Sequence, residues 1–185
     1  VSGESSSSFV SANDGDDWDD DASDPGDWVS IAESESGPLS GCDVSRSSWH
    51  GTRVAAMVGA ATDNGAGVAG GTWSGRILPV RVLGKCGGYD SDIVAGMRWA
   101  AGLPVADAPA NPNPARIINL SLGSADTCAT VYSNAIAELA EAGVLVIDHV
   151  HRQRPHDRLL IGFDAGDPAD PGSFPNAALR RAREI

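Results

Sequence analysis

The pattern of apolar and polar positions divides the chain before its chemistry does. Residues 1–45 show neither helical nor strand periodicity. "SGESSSS" is a polar run, and "NDGDDWDDDASDPGDW" is an acidic, turn-rich stretch interrupted by Trp18 and Trp28. Both predict loop. From residue 47 the apolar positions become regular. Residues 49–60 predict a helix of small residues, with Val54, Met57 and Val58 at helical spacing. "TDNGAGVAGG" is a turn cluster, and "RILPVRVLG" (76–84) predicts a buried strand carrying Ile77, Val80, Val82 and Leu83. Asp90-Ser91-Asp92 can cap a helix whose inner face is Ile93, Val94, Met97 and Ala101. After the Pro/Asn loop "PVADAPANPNPA", "RIINLSLG" (116–123) predicts a second strand. Residues 130–142 predict a further helix with Val131, Ala135, Ile136 and Leu139 inward, stopped by Gly143. "VLVI" (144–147) opens a third strand.

Strands alternating with helices imply an α/β fold, a parallel β-sheet with flanking helices and right-handed crossovers. In such sheets the functional groups gather at the carboxyl ends of the strands. Here those ends are "LGKCGGY", "SLGS" and the residues after "VLVI". Beyond "VLVI" the chain changes style. Residues 149–185 hold six of the 13 basic residues, and three of the four histidines lie within 149–156. The chain therefore reads as three segments: an acidic and Ser-rich loop segment (1–46), an α/β core (47–147) and an aberrant tail (148–185).

Composition narrows the function classes. A chain of 185 residues suffices for one domain with a core. A net charge of −12 argues against a nucleic-acid partner. Eleven of the 25 acidic residues fall within residues 1–35, so much of that charge is local. No apolar run reaches about 18 residues, so no membrane span is expected. The start, Val1-Ser2-Gly3-Glu4, has no signal-peptide pattern, which suggests the interior of a longer precursor. The three cysteines, Cys42, Cys86 and Cys128, lack zinc-site spacing. Cys42 and Cys86 lie in Gly-rich loops and can pair in an oxidising compartment, or stay as two buried thiols. Cys128 is then odd, a reactive thiol or one whose partner is lost. His149 and His151 would share one strand face, but no fold around them supports a metal site. In "DGDDWDDDASD" carboxylates at alternate positions suit calcium, yet the glycine and terminal glutamate of a helix–loop–helix calcium site are out of register. A solvated acidic loop is the simpler reading.

"SSWHGTRVAAMVGAATDNGAGVAGGTWSGRILPVRVLGKCGGYDSDI" and "ARIINLSLG" together resemble the middle of a subtilisin-like serine peptidase (peptidase S8) of the secreted bacterial type. H-G-T, G-V-A-G, V-R-V-L-G and N-L-S-L-G occur in the family's order, over roughly residues 12 to 147. The resemblance implies peptide-bond hydrolysis by a Ser-His-Asp mechanism with His50 as general base. A neutral imidazole takes the serine proton and returns it to the leaving amine, a buried carboxylate fixes its tautomer, and donors stabilise the oxyanion. It also implies that an extended polypeptide substrate lies between Gly87-Gly88-Tyr89 and Ser121-Leu122-Gly123, pairing through backbone groups. Glycines at 87, 88 and 123 permit close approach. Ser121 then faces substrate through its backbone and is not a nucleophile. No cofactor is required, calcium is compatible, and the location is extracellular, with signal peptide and propeptide outside this chain.

The departures are equally specific. The family's catalytic Asp lies on a V-x-D-T/S-G strand that is not present. "VLVI" runs into Asp148-His149-Val150 in place of the A-G-N turn that donates to the oxyanion, and the nucleophile motif G-T-S-x-A-x-P is missing. Arg53 replaces the His of H-G-T-H, and Ala56 replaces a usual Gly. In subtilisin itself, the reference case for these magnitudes, triad loss leaves about 10³–10⁴-fold over water. Loss of the oxyanion Asn costs roughly another 10²–10³. With these parts missing, the chain is expected to be almost inert. Three readings stay open: a peptidase domain interrupted by truncation or by a reading-frame shift near residue 148, a non-catalytic fragment that binds extended peptides, and an acidic calcium-binding or interaction module.

Overall fold

A computed structural model describes residues 25–123 and 130–148. The chain forms two compact units, meeting in sequence between Ala115 and Arg116.

The second unit is a parallel α/β element. Strand β1 (Ile117–Leu120) pairs in parallel with β2 (Leu145–Asp148), Ile117 opposite Leu145 and Leu120 opposite Asp148. A parallel pair needs a crossover, and the helix Thr130–Glu141 supplies it. Its Ala135 and Leu139 are buried with Ile118, Leu120, Val144 and Val146, the apolar core of this unit. Along β1 the burial alternates, Ile118 and Leu120 inward and Ile117 outward, the period of two of a sheet with one covered face. The helix ends as the sequence predicts. Gly143 adopts φ 76°. The Gly143 amide donates to the Ala140 carbonyl at 3.0 Å, and the Val144 amide to the Leu139 carbonyl at 2.9 Å. That is the paired bonding of a glycine-terminated helix, which needs a left-handed residue there. Of the four residues expected inward, Ala135 and Leu139 are buried, Ile136 is half-buried, and Val131 is exposed.

Among the described residues the first unit carries three helices: α1 (Ile31–Glu35), α2 (His50–Gly59) and α3 (Asp90–Ala100); the crossover helix of the second unit is α4. Reading 1–45 as loop throughout fails at α1. Ser30 and Glu33 form a reciprocal capping box: the Glu33 amide donates to Ser30 Oγ at 3.3 Å, and the Ser30 amide donates to Glu33 Oε2 at 2.8 Å. Two orphan donors are satisfied within one turn, so a short helix forms without apolar periodicity. Val29 also bridges Ser45 in antiparallel fashion, which closes residues 29–45 into a loop with fixed ends.

Helix α3 buries Ile93, Gly96, Met97 and Ala100, so the inward stripe is rotated from the one the sequence suggests. Its N-cap is Tyr89, not the Asp90–Asp92 run, whose first residue is already helical. The rotation has a steric cause. A Cβ at Gly96 would lie 2.5 Å from Val82 Cγ1 and 3.2 Å from Val80 Cγ1. Only glycine lets the helix approach the 80–82 segment so closely. That segment is not the predicted strand. Residues 76–83 have no ladder partner among the described residues; the sole pairing nearby is the isolated bridge between Gly84 and Gly87. Apolar content alone does not make a strand, because the ladder needs a second segment. Val80 and Val82 are half-buried, whereas Ile77 and Leu83 are exposed.

Helix α2 buries none of its residues; Met57 and Val58 are exposed. Its last turn is closed by residues 70–72. The amides of Gly70, Gly71 and Thr72 donate to the carbonyls of Ala60, Met57 and Val58 at 3.2, 3.1 and 2.8 Å. These carbonyls would otherwise be orphans of the helix end. The G-V-A-G-G-T stretch thus has a local structural task.

Candidate active site

His50 is the first residue of α2 and is exposed. The residue before it, Trp49, caps the helix in the left-handed region, φ 49° and ψ 33°, without any side-chain capping bond. That conformation costs a non-glycine residue about 1–2 kcal/mol. It turns the chain sharply, so that His50 starts the helix at the end of a tight corner.

The corner is anchored from upstream. Asp27 accepts from the Ser48 amide at 2.5 Å through one carboxylate oxygen and from the Ser48 hydroxyl at 2.6 Å through the other. The Asp27 amide donates to Ser47 Oγ at 3.2 Å, and the Arg81 guanidinium donates to the Gly26 carbonyl at 3.0 Å. Partial burial pushes the Asp27 carboxyl up. The Ser48 hydroxyl and amide, its own amide and the Arg81 charge outweigh this and hold it below the usual carboxylate value. The Ser48 hydroxyl accepts from the His50 amide at 3.3 Å, and Arg53 donates from its guanidinium to the Ser48 carbonyl.

Gly87, Gly88 and Tyr89 come after a tight loop in which the Gly84 amide donates to the Gly87 carbonyl at 2.8 Å. The structure gives these glycines a reason that does not involve substrate. Gly87 has φ 112°, and a Cβ on Gly88 would press into the Val82 carbonyl and lie 2.8 Å from Leu83 Cδ2. Tyr89 caps α3 and is exposed. In the second unit Ser121, Leu122 and Gly123 come directly after β1. Ser121 Oγ accepts from Asn119 Nδ2 at 2.9 Å, and a Cβ on Gly123 would meet open space. Steric crowding therefore explains Gly88 and does not explain Gly123.

Cys42 and Cys86 are joined by a disulfide with Cα atoms 5.8 Å apart. It ties the 29–45 loop to the residue immediately before Gly87. Next to it stands a cluster that sequence reasoning missed. Lys85 is 5% exposed, its ammonium 2.6 Å from Glu33 Oε1 and 4.2 Å from the centroid of the Trp28 ring. Lysine is almost never fully buried without such partners. The Lys85 ammonium and the Ser30 hydroxyl and amide pull the Glu33 carboxyl down to about 2. The available signal was Ser30-x-x-Glu33, a capping-box spacing. The acidic stretch 14–24, Cys128, His149 and His151 lie outside the described residues. Among the described residues no group of three or more His, Cys, Asp or Glu can hold a metal ion. No helix among them is long and apolar enough to cross a membrane.

Parallel strands joined by a helix, with a histidine opening a helix of small residues in the preceding unit, define an α/β protein. The sequence model of the subtilase family, peptidase S8, matches residues 13–148, and the chain belongs to that family. It is 46% identical over 141 residues to an extracellular protease of Xanthomonas campestris pv. campestris, an alignment covering 76% of this chain and 24% of that protein. It is 42% identical over 141 residues to an extracellular basic protease of Dichelobacter nodosus, covering 76% of this chain and 23% of that one. Among solved structures, a protease of Pseudoalteromonas arctica PAMC 21717 superposes with a TM-score of 0.67 at 47% identity, over 75% of this chain and 39% of its own. The chain thus spans about a quarter of the length of these two curated relatives.

Proposed function

We propose that the chain carries the histidine-bearing part of a secreted subtilisin-like serine endopeptidase domain. The observation that carries this reading is the family match over residues 13–148, with His50 at the start of α2. In this reading residues 47–147 are the domain core and His50 is the general base. Gly87-Gly88-Tyr89 and Ser121-Leu122-Gly123 pair by backbone with an extended polypeptide. The extracellular location rests on two relatives described as extracellular proteases. The 185-residue polypeptide alone, which contains neither G-T-S-x-A-x-P nor A-G-N, does not hydrolyse peptides in this reading.

A chimera tests it. Residues 47–123 replace the matching segment of the Xanthomonas protease, and casein hydrolysis and labelling by a serine-reactive phosphonate are measured. The chimera is expected to be active and labelled, and His50→Ala to lower its kcat by at least about 10³-fold. Full activity of the His50→Ala chimera sinks the base assignment. Labelling of the isolated 185-residue chain sinks the claim that it is inert. A second reading rests on the eleven acidic residues within 1–35: the segment 14–24 binds calcium as part of an interaction module. Its mark is a melting temperature that rises with millimolar calcium and falls with a chelator.

A further inference from the structure

Ser48 is gripped from two directions. Its amide and hydroxyl donate to both carboxylate oxygens of Asp27, 21 residues upstream, while its carbonyl accepts from Arg53, five residues downstream. The same hydroxyl accepts from the His50 amide at 3.3 Å. Between Ser48 and His50 stands Trp49, in a left-handed conformation that tryptophan disfavours and whose side chain caps nothing. The N-cap residue itself therefore does not fix where α2 begins, since Trp49 supplies neither a capping side chain nor a glycine, and the one local side chain that takes a first-turn amide is that of Ser48. A strained residue of this kind persists only where its surroundings over-determine it, and the bonds around Ser48 do so.

We propose that Asp27 and Arg53 are positioning residues which, acting through Ser48, set the first residue of α2 and so the point at which the His50 side chain leaves the helix. The proposal rests on the reading of His50 as the base. It assigns a role to Arg53, where this chain departs from H-G-T-H. The three bonds that Asp27 and Arg53 make to Ser48 each involve an ionised partner, the stronger class of hydrogen bond. Arg81, which donates to the Gly26 carbonyl, keeps a positive charge near Asp27 and favours its ionised form.

The full chain with carbon-13-labelled histidine provides the test, the His50 signal being assigned with His50→Ala. Hydrogen exchange is measured in the same samples. Asp27→Asn and Ser48→Ala are each expected to speed exchange of the hydrogen-bonded amides of residues 48, 50 and 53 about tenfold, equivalent to about 1.4 kcal/mol, and to shift the His50 imidazole resonance. Ser48→Thr, which keeps the hydroxyl, should restore both. Arg53→His, with its shorter side chain, should give a smaller change of the same sign. Amides of β1, α4 and β2 serve as the internal control and should not change. The idea is overturned if the amides of residues 48, 50 and 53 exchange at the parent rate, if the His50 resonance stays in place, or if protection is lost equally across 130–148. None of these readouts needs peptidase activity. An inactive chimera leaves the grip on Ser48 standing, and unmoved exchange leaves the base assignment standing.

Discussion

Removing the Cys42–Cys86 disulfide should lower the stability of the first unit by an amount set by the loop it closes. The two cysteines are 44 residues apart. The chain-entropy relation for a loop of that length gives about 4 kcal/mol at 25 °C, through restriction of the unfolded chain. The folded geometry should survive the loss. The bridge between Val29 and Ser45, the Asp27–Ser48 bonds, the Arg81–Gly26 bond and the Glu33–Lys85 pair hold the same loop without it. The cost should therefore appear in the unfolding equilibrium and not in a changed fold. Against the roughly 5–15 kcal/mol of an ordinary domain it is a large fraction. All five tryptophans lie within residues 1–99, so their fluorescence reports on the first unit. With a denaturant slope of about 2 kcal/mol per molar urea, the unfolding midpoint of the Cys42→Ser, Cys86→Ser variant should fall by about 2 M. Cys128→Ser in both samples prevents exchange of partners, and a reducing agent should produce the same shift in the parent and none in the variant. An unchanged midpoint after complete reduction would refute the loop-entropy argument for this unit.

Two further outcomes concern the same unit. Glu33 has a folded pKa of about 2 against an ordinary 4.5, so its contribution is fully present above pH 4.5 and is lost as the pH falls toward 2. Melting between pH 5 and 2 should show a slope that Glu33→Gln reduces; equal slopes in both proteins contradict the Lys85 pairing as its source. Gly96→Ala places a methyl 2.5 Å from Val82 Cγ1, and overpacking of about 1–3 kcal/mol should exceed the roughly 1 kcal/mol that alanine contributes to a helix. Urea unfolding should show net destabilisation, and a stabilised Gly96→Ala variant would mean that α3 moves away from the 80–82 segment freely.

The parts of the fold legible in the sequence are those whose information is local. Gly143 marks the end of α4 because only a residue free to take positive φ can close that helix, and the helical spacing of Ala135 and Leu139 marks its inner face. The parallel pairing of β1 and β2 is implied by strand–helix–strand order. Three features were illegible for the converse reason. The strand expected at 76–84 depends on a partner that apolar content does not reveal. The inner face of α3 is set by the approach of Val82 to Gly96, a contact across 14 positions that periodicity cannot rank. Helix α1 rests on polar side chains, and a search for apolar spacing passes over it.

The site divides along the same line. His50 stands out as the candidate base because its neighbours form an ordered motif string, and the string is continuous in sequence. The contacts that hold His50 are not. Asp27 sits in the acidic, turn-rich stretch that reads as loop, one carboxylate among eleven in residues 1–35, and composition gives no reason to single it out. The fold selects it. The Val29–Ser45 bridge brings both ends of the 29–45 loop together, and this places Asp27, two residues before one end, within reach of Ser48, three residues beyond the other. The disulfide and the buried Lys85–Glu33 pair then fix the body of that loop to the residues before Gly87. One loop therefore carries constraint to two candidate functional segments, the start of α2 and the turn at 87–89. Asp27 is hydrogen-bonded to the serine before Trp49 and His50, which ties the residues leading into the H-G-T motif to a position more than 20 residues upstream of it.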